Sequence, residues 1–174
     1  MTALTKDIPV LDLGPWMAGD EGALDRLAAD LRKVCMEVGF YFITNHGVPQ
    51  GLVDRTFEQT AAFHNLPAHV KAAYAINRHN IGYMAPRTSM QRSSTVHKAT
   101  KPNLVASYFM KRERSSDDPV VVEGLPLRGL NQWPDELPDF RGTMLEYMTA
   151  MESLGKRMLP VYARALELET DFFA

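Results

Sequence analysis

Apolar positions divide this chain into a few regular stretches separated by polar, turn-rich ones. Ile8-Pro9-Val10-Leu11-Asp12-Leu13 reads as a short strand, with Pro9 confining it to a sheet edge or a strand start. Gly14-Pro15 ends it. From Asp20, a suitable N-cap, Leu24, Leu27, Ala28, Leu31, Val34, Cys35 and Val38 recur every three or four residues and predict an amphipathic helix. Gly39 is the expected glycine just beyond its C-terminus, and Cys35, on the stripe, reads as a small core residue. Phe40-Tyr41-Phe42-Ile43 then form an unbroken run with strong strand preference, stopped by Asn45-His46-Gly47 and Pro49. Because the run does not alternate with polar residues, it reads as a central strand buried on both faces.

A second helix is predicted over residues 50–65, with Val53, Phe57, Ala61 and His64 on one face. Pro67 opens a short helix that runs to Tyr74. Residues 77–100 carry Asn, Arg, Ser, Thr and His with little periodicity and read as a long loop holding at most one short strand. Residues 104–110 predict another strand, 111–118 a charged turn, and Asn131-Gln132-Trp133-Pro134 a proline-punctuated loop in which Trp133 caps the core. The last prediction is a long helix over about residues 139–168. Its stripe is Phe140, Met144, Tyr147, Met148, Met151, Leu154, Met158, Leu159, Tyr162 and Leu166, and Pro160 should kink it. The methionines of that stripe read as adaptable core packing.

Composition narrows the class without naming it. The chain has 174 residues, enough for a single domain over 1–174, and shows no internal repeat. A net charge of −2 gives no electrostatic case for nucleic acid or an anionic membrane surface. No apolar run approaches the length of a membrane span, and the N-terminal residues have no signal-peptide core. A single cysteine forms no internal disulfide and suits a reducing compartment, so the expectation is a cytoplasmic protein.

Candidate chemistry is sparse. The five histidines, His46, His64, His69, His79 and His97, include no H-x-D or H-x-E pair and no pair at helical i, i+3 or i, i+4 spacing. There is no CxxC, GxGxxG, phosphate-binding loop or GxSxG motif. His46 reads as a turn histidine whose ring bonds nearby backbone, and His64 as a surface or half-buried helix residue. Arg87 and Arg92 have the chemistry to bind a carboxylate, although a solvated loop face accounts for both.

Six segments in order nevertheless resemble one family. They are residues 8–13; Gly39 to Val48; Phe63-His64-Asn65-Leu66-Pro67 with Lys71; Gly82-Tyr83; Asn131-Gln132-Trp133-Pro134; and Phe140-Arg141 with Tyr147. This order resembles the isopenicillin N synthase-like non-haem dioxygenases, most of which use Fe(II) and 2-oxoglutarate. The resemblance implies an α+β fold: the N-terminal helices and first strands of a double-stranded β-helix (jelly-roll) dioxygenase, incomplete, with one long C-terminal helix. Within it Gly39 to Gly47 would be an inner supporting strand. It also implies oxidation of a small-molecule substrate by hydroxylation, desaturation or ring formation.

In that family the H-x-D pair, the distal histidine and the R-x-S that holds 2-oxoglutarate follow the long helix. The chain therefore reads as the N-terminal part of a longer enzyme, with no metal ligand of its own and no activity alone. By analogy Tyr83, Met84 and Arg87 in one loop, and Tyr108 and Phe109 in the following strand, would line the substrate pocket. Two departures stand out. Ala106 occupies a place usually acidic in the family, and Asn80 and Met84 replace the arginine and tyrosine that grip the tripeptide in isopenicillin N synthase. A non-enzymatic binding module reusing this half-fold is the competing reading, and it predicts a dry, well-packed surface rather than exposed strand edges.

Overall fold

A computed structural model describes residues 8–90 and 100–174, and Arg92 and His97 lie outside the described residues. The order is β1 (Val10–Asp12), α1 (Gly14–Met17), α2 (Ala23–Glu37), β2 (Phe42–Thr44), α3 (Gln50–Asn65), α4 (Ala68–Ala73), β3 (Gly82–Met84), β4 (Ser107–Phe109), α5 (Pro119–Val122) and α6 (Pro138–Ala165). This is an α+β chain with two two-stranded sheets among the described residues. It divides into two compact units, one of residues 1–53 with 146–174 and the other of residues 54–145.

In the first unit β1 and β2 run parallel, pairing Val10 with Phe42, Leu11 with Ile43 and Asp12 with Thr44. Side chains alternate across a strand, so Leu11 and Ile43 share one face and Val10 and Phe42 the other. The first face packs on a cluster built from Leu13, Leu27, Leu31, Val34, Leu52, Leu154 and Val161. The second stays open: Val10 is 57% exposed, Phe42 59% and Phe40 60%. The expected central strand is thus covered on one face only. Four consecutive large residues signal strand, but half of them point away from the α2 and α6 residues that form the cluster.

Helix α2 begins at Gly22, in left-handed conformation, rather than at Asp20. It ends as expected, with Gly39 at φ 90° donating its amide to Val34 O at 3.0 Å. Its buried stripe is Ala23, Leu27, Ala28, Leu31 and Val34, and Cys35 is exposed, not core. The sequence stripe is wider than the contact it makes, and Cys35 sits about 100° around the helix from Val34. Arg32 donates to Ala165 O at 2.8 Å and caps an open carbonyl at the end of α6.

In α3, Leu52 and Phe63 are buried while Phe57 is 72% exposed. The buried row is therefore not the Val53, Phe57, Ala61 face. Periodicity offers two overlapping faces on this helix, and packing selects the one carrying Phe63. In α6, Phe140, Met144, Leu154 and Met158 are buried as expected, but Met151 and Tyr162 lie at the exposed edge, Val161 is fully buried, and Leu166 falls just past the helix end, exposed. The helix continues through Pro160.

Candidate functional site

The second unit is organised on Phe63. Its ring lies 5.7 Å from Tyr83, 4.6 Å from Tyr108 and 5.6 Å from Phe140, the two tyrosines edge-on. Met144, Leu66, Tyr74, Trp133 and Leu137 complete this cluster, so Trp133 does pack on a core. Strands β3 and β4 deliver the tyrosines. They pair antiparallel with Tyr83 directly opposite Tyr108, Gly82 opposite Phe109 and Met84 opposite Ser107. Opposed residues share a face, so Tyr83 and Tyr108 turn together toward Phe63.

Gly82 leaves no room for a side chain. Its φ is +114°, and a Cβ there would lie 2.4 Å from Gln132 Nε2 and 2.5 Å from Tyr74 O. Gln132 Nε2 uses that space to donate to Ile81 O at 2.9 Å and Ala75 O at 3.2 Å, and Tyr83 N donates to Tyr74 O at 2.7 Å. Tyr108 Oη donates to Gln132 O. Burial, the main cause, raises the pKa of that phenol well above its usual value.

A single carboxylate ties the loop after β4 to the start of α6. Glu113 accepts from Asn131 Nδ2 at 2.6 Å, Trp133 Nε1 at 3.2 Å and Arg141 Nη2 at 2.9 Å. Asn131 also accepts from Lys111 N at 2.8 Å and donates to Lys111 O at 2.9 Å. Burial pushes the Glu113 carboxyl up, but the hydrogen bonds from Asn131, Arg141 and Trp133 outweigh it and hold its pKa below the usual range. The Asn131-Gln132-Trp133-Pro134 segment is therefore a hydrogen-bonded clasp on β3, β4 and α6. Glu113 was not singled out in sequence because it stands among several charges with no distinguishing spacing.

The five expected substrate residues fall into three places. Tyr83 and Tyr108 pack on the aromatic cluster. Met84 and Phe109 lie on the opposite face of the strand pair, half-buried. Arg87 is exposed in the following loop with φ 66°, its amide bonded to Asn103 O at 2.7 Å. Met84, with Tyr83, borders an open groove of about 360 Å³ formed with α4.

The described residues do not assemble an iron site. His46 Nδ1 accepts from Val48 N at 3.1 Å, which is the turn role expected of it. His64 stands edge-on to Phe63, half-buried; burial first and the Lys71 charge second lower its pKa. His79 Nε2 accepts from Arg78 Nε at 3.1 Å. Among the described residues no three His, Cys, Asp or Glu side chains stand close enough to hold a metal.

Residues 8–136 match the family model described as the N-terminal region of non-haem dioxygenases of the morphine-synthesis type. The chain belongs to that family. It is 34% identical to a 2-oxoglutarate-Fe(II) type oxidoreductase of Emericella nidulans over 95% of its own length and 47% of the relative's. To an isopenicillin N synthase of Amycolatopsis lactamdurans it is 28% identical, over 96% of this chain and 50% of that one. Its fold matches a full-length Neurospora crassa protein, solved in complex with alpha-KG and thymine, at a TM-score of 0.76 and 22% identity, covering 99% of this chain and 53% of the other. The chain thus spans about half the length of the relatives it matches.

Proposed function

We propose that this chain forms the N-terminal region of a cytoplasmic Fe(II)- and 2-oxoglutarate-dependent oxygenase of small organic molecules. In this reading iron and 2-oxoglutarate are held by residues outside these 174, and the oxidising chemistry is supplied there. The observation that carries the reading is the match of residues 8–136 to the N-terminal family model, in a chain that spans about half of its relatives. The open β1–β2 face supports it. Parallel strands are ordinarily covered on both faces, and a lone strand pair is marginal in water, so Val10, Phe40 and Phe42 call for a covering layer. The contribution of this chain is a braced wall: β3 and β4 fixed on Phe63 and clasped by Gln132 and Glu113, presenting Met84 and Phe109 on their other face, with Arg87 in the adjoining loop. That one structural relative was solved with thymine supports a small-molecule substrate. The free Cys35 fits a reducing compartment.

The test has two arms. Anaerobic Fe(II) titration of the 174-residue chain, followed by 2-oxoglutarate-dependent O₂ uptake, is expected to give neither tight binding nor turnover; stoichiometric iron with turnover would overturn the division of labour. Reading the coding sequence beyond codon 174 is expected to give an open frame with H-x-D, a later histidine and R-x-S. A stop codon there would favour the non-enzymatic binding module instead.

A further inference from the structure

The groove between α4 and β3 has a chemistry that the aromatic cluster does not explain. It measures about 360 Å³, within the range of small-ligand sites. Its walls are mostly apolar, with Ala68, Ala72, Ala75, Ile76, Met84 and Pro86 beside the hydroxyl-bearing Tyr83 and Thr88, and among the described residues Lys71 is the single charged one that lines it. The Lys71 ammonium is held in place: it donates to His64 O at 2.5 Å and lies 5.6 Å from the centre of the Tyr83 ring. An ammonium has three donors, and the His64 carbonyl takes one. No carboxylate pairs with Lys71 among the described residues. A lysine on an open surface is ordinarily a mobile, solvated charge. Here the ammonium is fixed against the His64 carbonyl and the Tyr83 ring at a groove whose walls are mostly apolar, and no anion of the described residues neutralises it.

We propose that this groove binds a small, flat apolar molecule carrying one carboxylate, with the carboxylate at Lys71 and the apolar body against Ala72, Ala75 and Met84. The proposal rests on the reading of this chain as part of a small-molecule oxygenase, and names a class of molecule it takes up. It stands apart from the iron arm of that reading, because binding to the groove needs only residues of this chain.

The probe is 2-naphthoate, compared with its uncharged analogue 2-naphthamide, with saturation-transfer NMR and calorimetry on the 174-residue chain. Wild type is expected to bind the naphthoate roughly two- to fivefold more tightly than the amide, the scale of one partly exposed ion pair. Lys71→Arg should keep that preference and Lys71→Met should abolish it while still binding both. Ala72→Phe, which fills the groove without touching the cation, should abolish binding of both. Circular dichroism establishes that each variant is folded; if Lys71→Met is not, the wild type, Lys71→Arg and Ala72→Phe comparisons carry the test. Equal binding of the two probes by wild type, no binding at millimolar probe, a preference that survives in Lys71→Met, or unchanged binding in folded Ala72→Phe would each overturn the proposal. Iron titration of the same samples reads the functional proposal independently.

Discussion

Replacing Gly82 by alanine tests the clasp around β3 most directly. At φ +114° the backbone lies where a residue with a Cβ is strained, which costs about 1–2 kcal/mol. The new methyl would also sit 2.5 Å from Tyr74 O and 2.4 Å from Gln132 Nε2, inside any real contact. Something must give. The flexible Gln132 amide yields first, releasing its bonds to Ile81 O and Ala75 O, and the contact with Tyr74 O, a backbone atom already accepting from Tyr83 N, makes the β3 backbone shift as well. At about 0.5–1.5 kcal/mol net for each bond, the total reaches roughly 2–5 kcal/mol. That is a large part of the stability of an ordinary domain.

The assay is urea unfolding followed by Trp133 fluorescence in a Trp16→Phe background, which leaves one indole, in the second unit, as reporter. Gly142→Ala is the control. Its Cβ meets nothing within 4 Å on the helix α6, so it should stabilise by up to about 1 kcal/mol. Gln132→Ala should itself destabilise, and combining it with Gly82→Ala should cost less than the two single changes summed, because the amide that the methyl displaces is already gone. A Gly82→Ala protein within about 0.5 kcal/mol of its parent, or strict additivity in the double variant, would refute this account of the clasp.

Three further outcomes follow from the same packing. Glu113→Gln should lose about 1–3 kcal/mol by weakening the acceptor shared by Asn131, Trp133 and Arg141, and it should flatten the acid limb of the stability profile. The carboxyl pKa is lowered in the folded chain, so its contribution is present above the unfolded value and fades as pH falls through the folded one; an unchanged acid limb in the variant would remove Glu113 from that role. Phe63→Ala should cost about 3–5 kcal/mol, whereas Phe57→Ala, on the same helix but 72% exposed, should change stability by no more than about 0.5 kcal/mol; denaturant midpoints for the pair decide whether the buried face is assigned correctly. Cys35 should react with a thiol reagent in the folded chain without global unfolding, and protection until the unfolding transition would contradict its exposure.

Element positions were largely legible from the residues. Helix α3 coincides with the predicted 50–65, and Pro67, Gly39 and the strand runs mark their boundaries where turn and cap chemistry places them. Less legible was which side of an element would be covered. Phe57 and Phe63 are equally apolar, and only the partners supplied by Tyr83, Tyr108 and Phe140 bury one and not the other. The same holds for Cys35, a residue or two outside the contact stripe of α2, and for Phe42, whose partner face is bare. At the candidate site, Tyr83 and Tyr108 were visible as aromatic strand residues, but their direct opposition depends on a register between segments far apart along the chain. Glu113 and Lys71 acquire meaning only from what approaches them.

The sequence by itself determined the local elements, the turn role of His46 and the family, because caps, periodicity and ordered motifs act through neighbours along the chain. The five histidines include no H-x-D or H-x-E pair, which is likewise read from the sequence alone. Tertiary structure alone decided that the Gln132 amide fills the space a side chain at Gly82 would need, that Glu113 gathers three donors, and that Lys71 lines a mostly apolar groove. Each of these depends on distances between segments far apart in sequence, where close packing and unsatisfied hydrogen-bonding groups set the outcome.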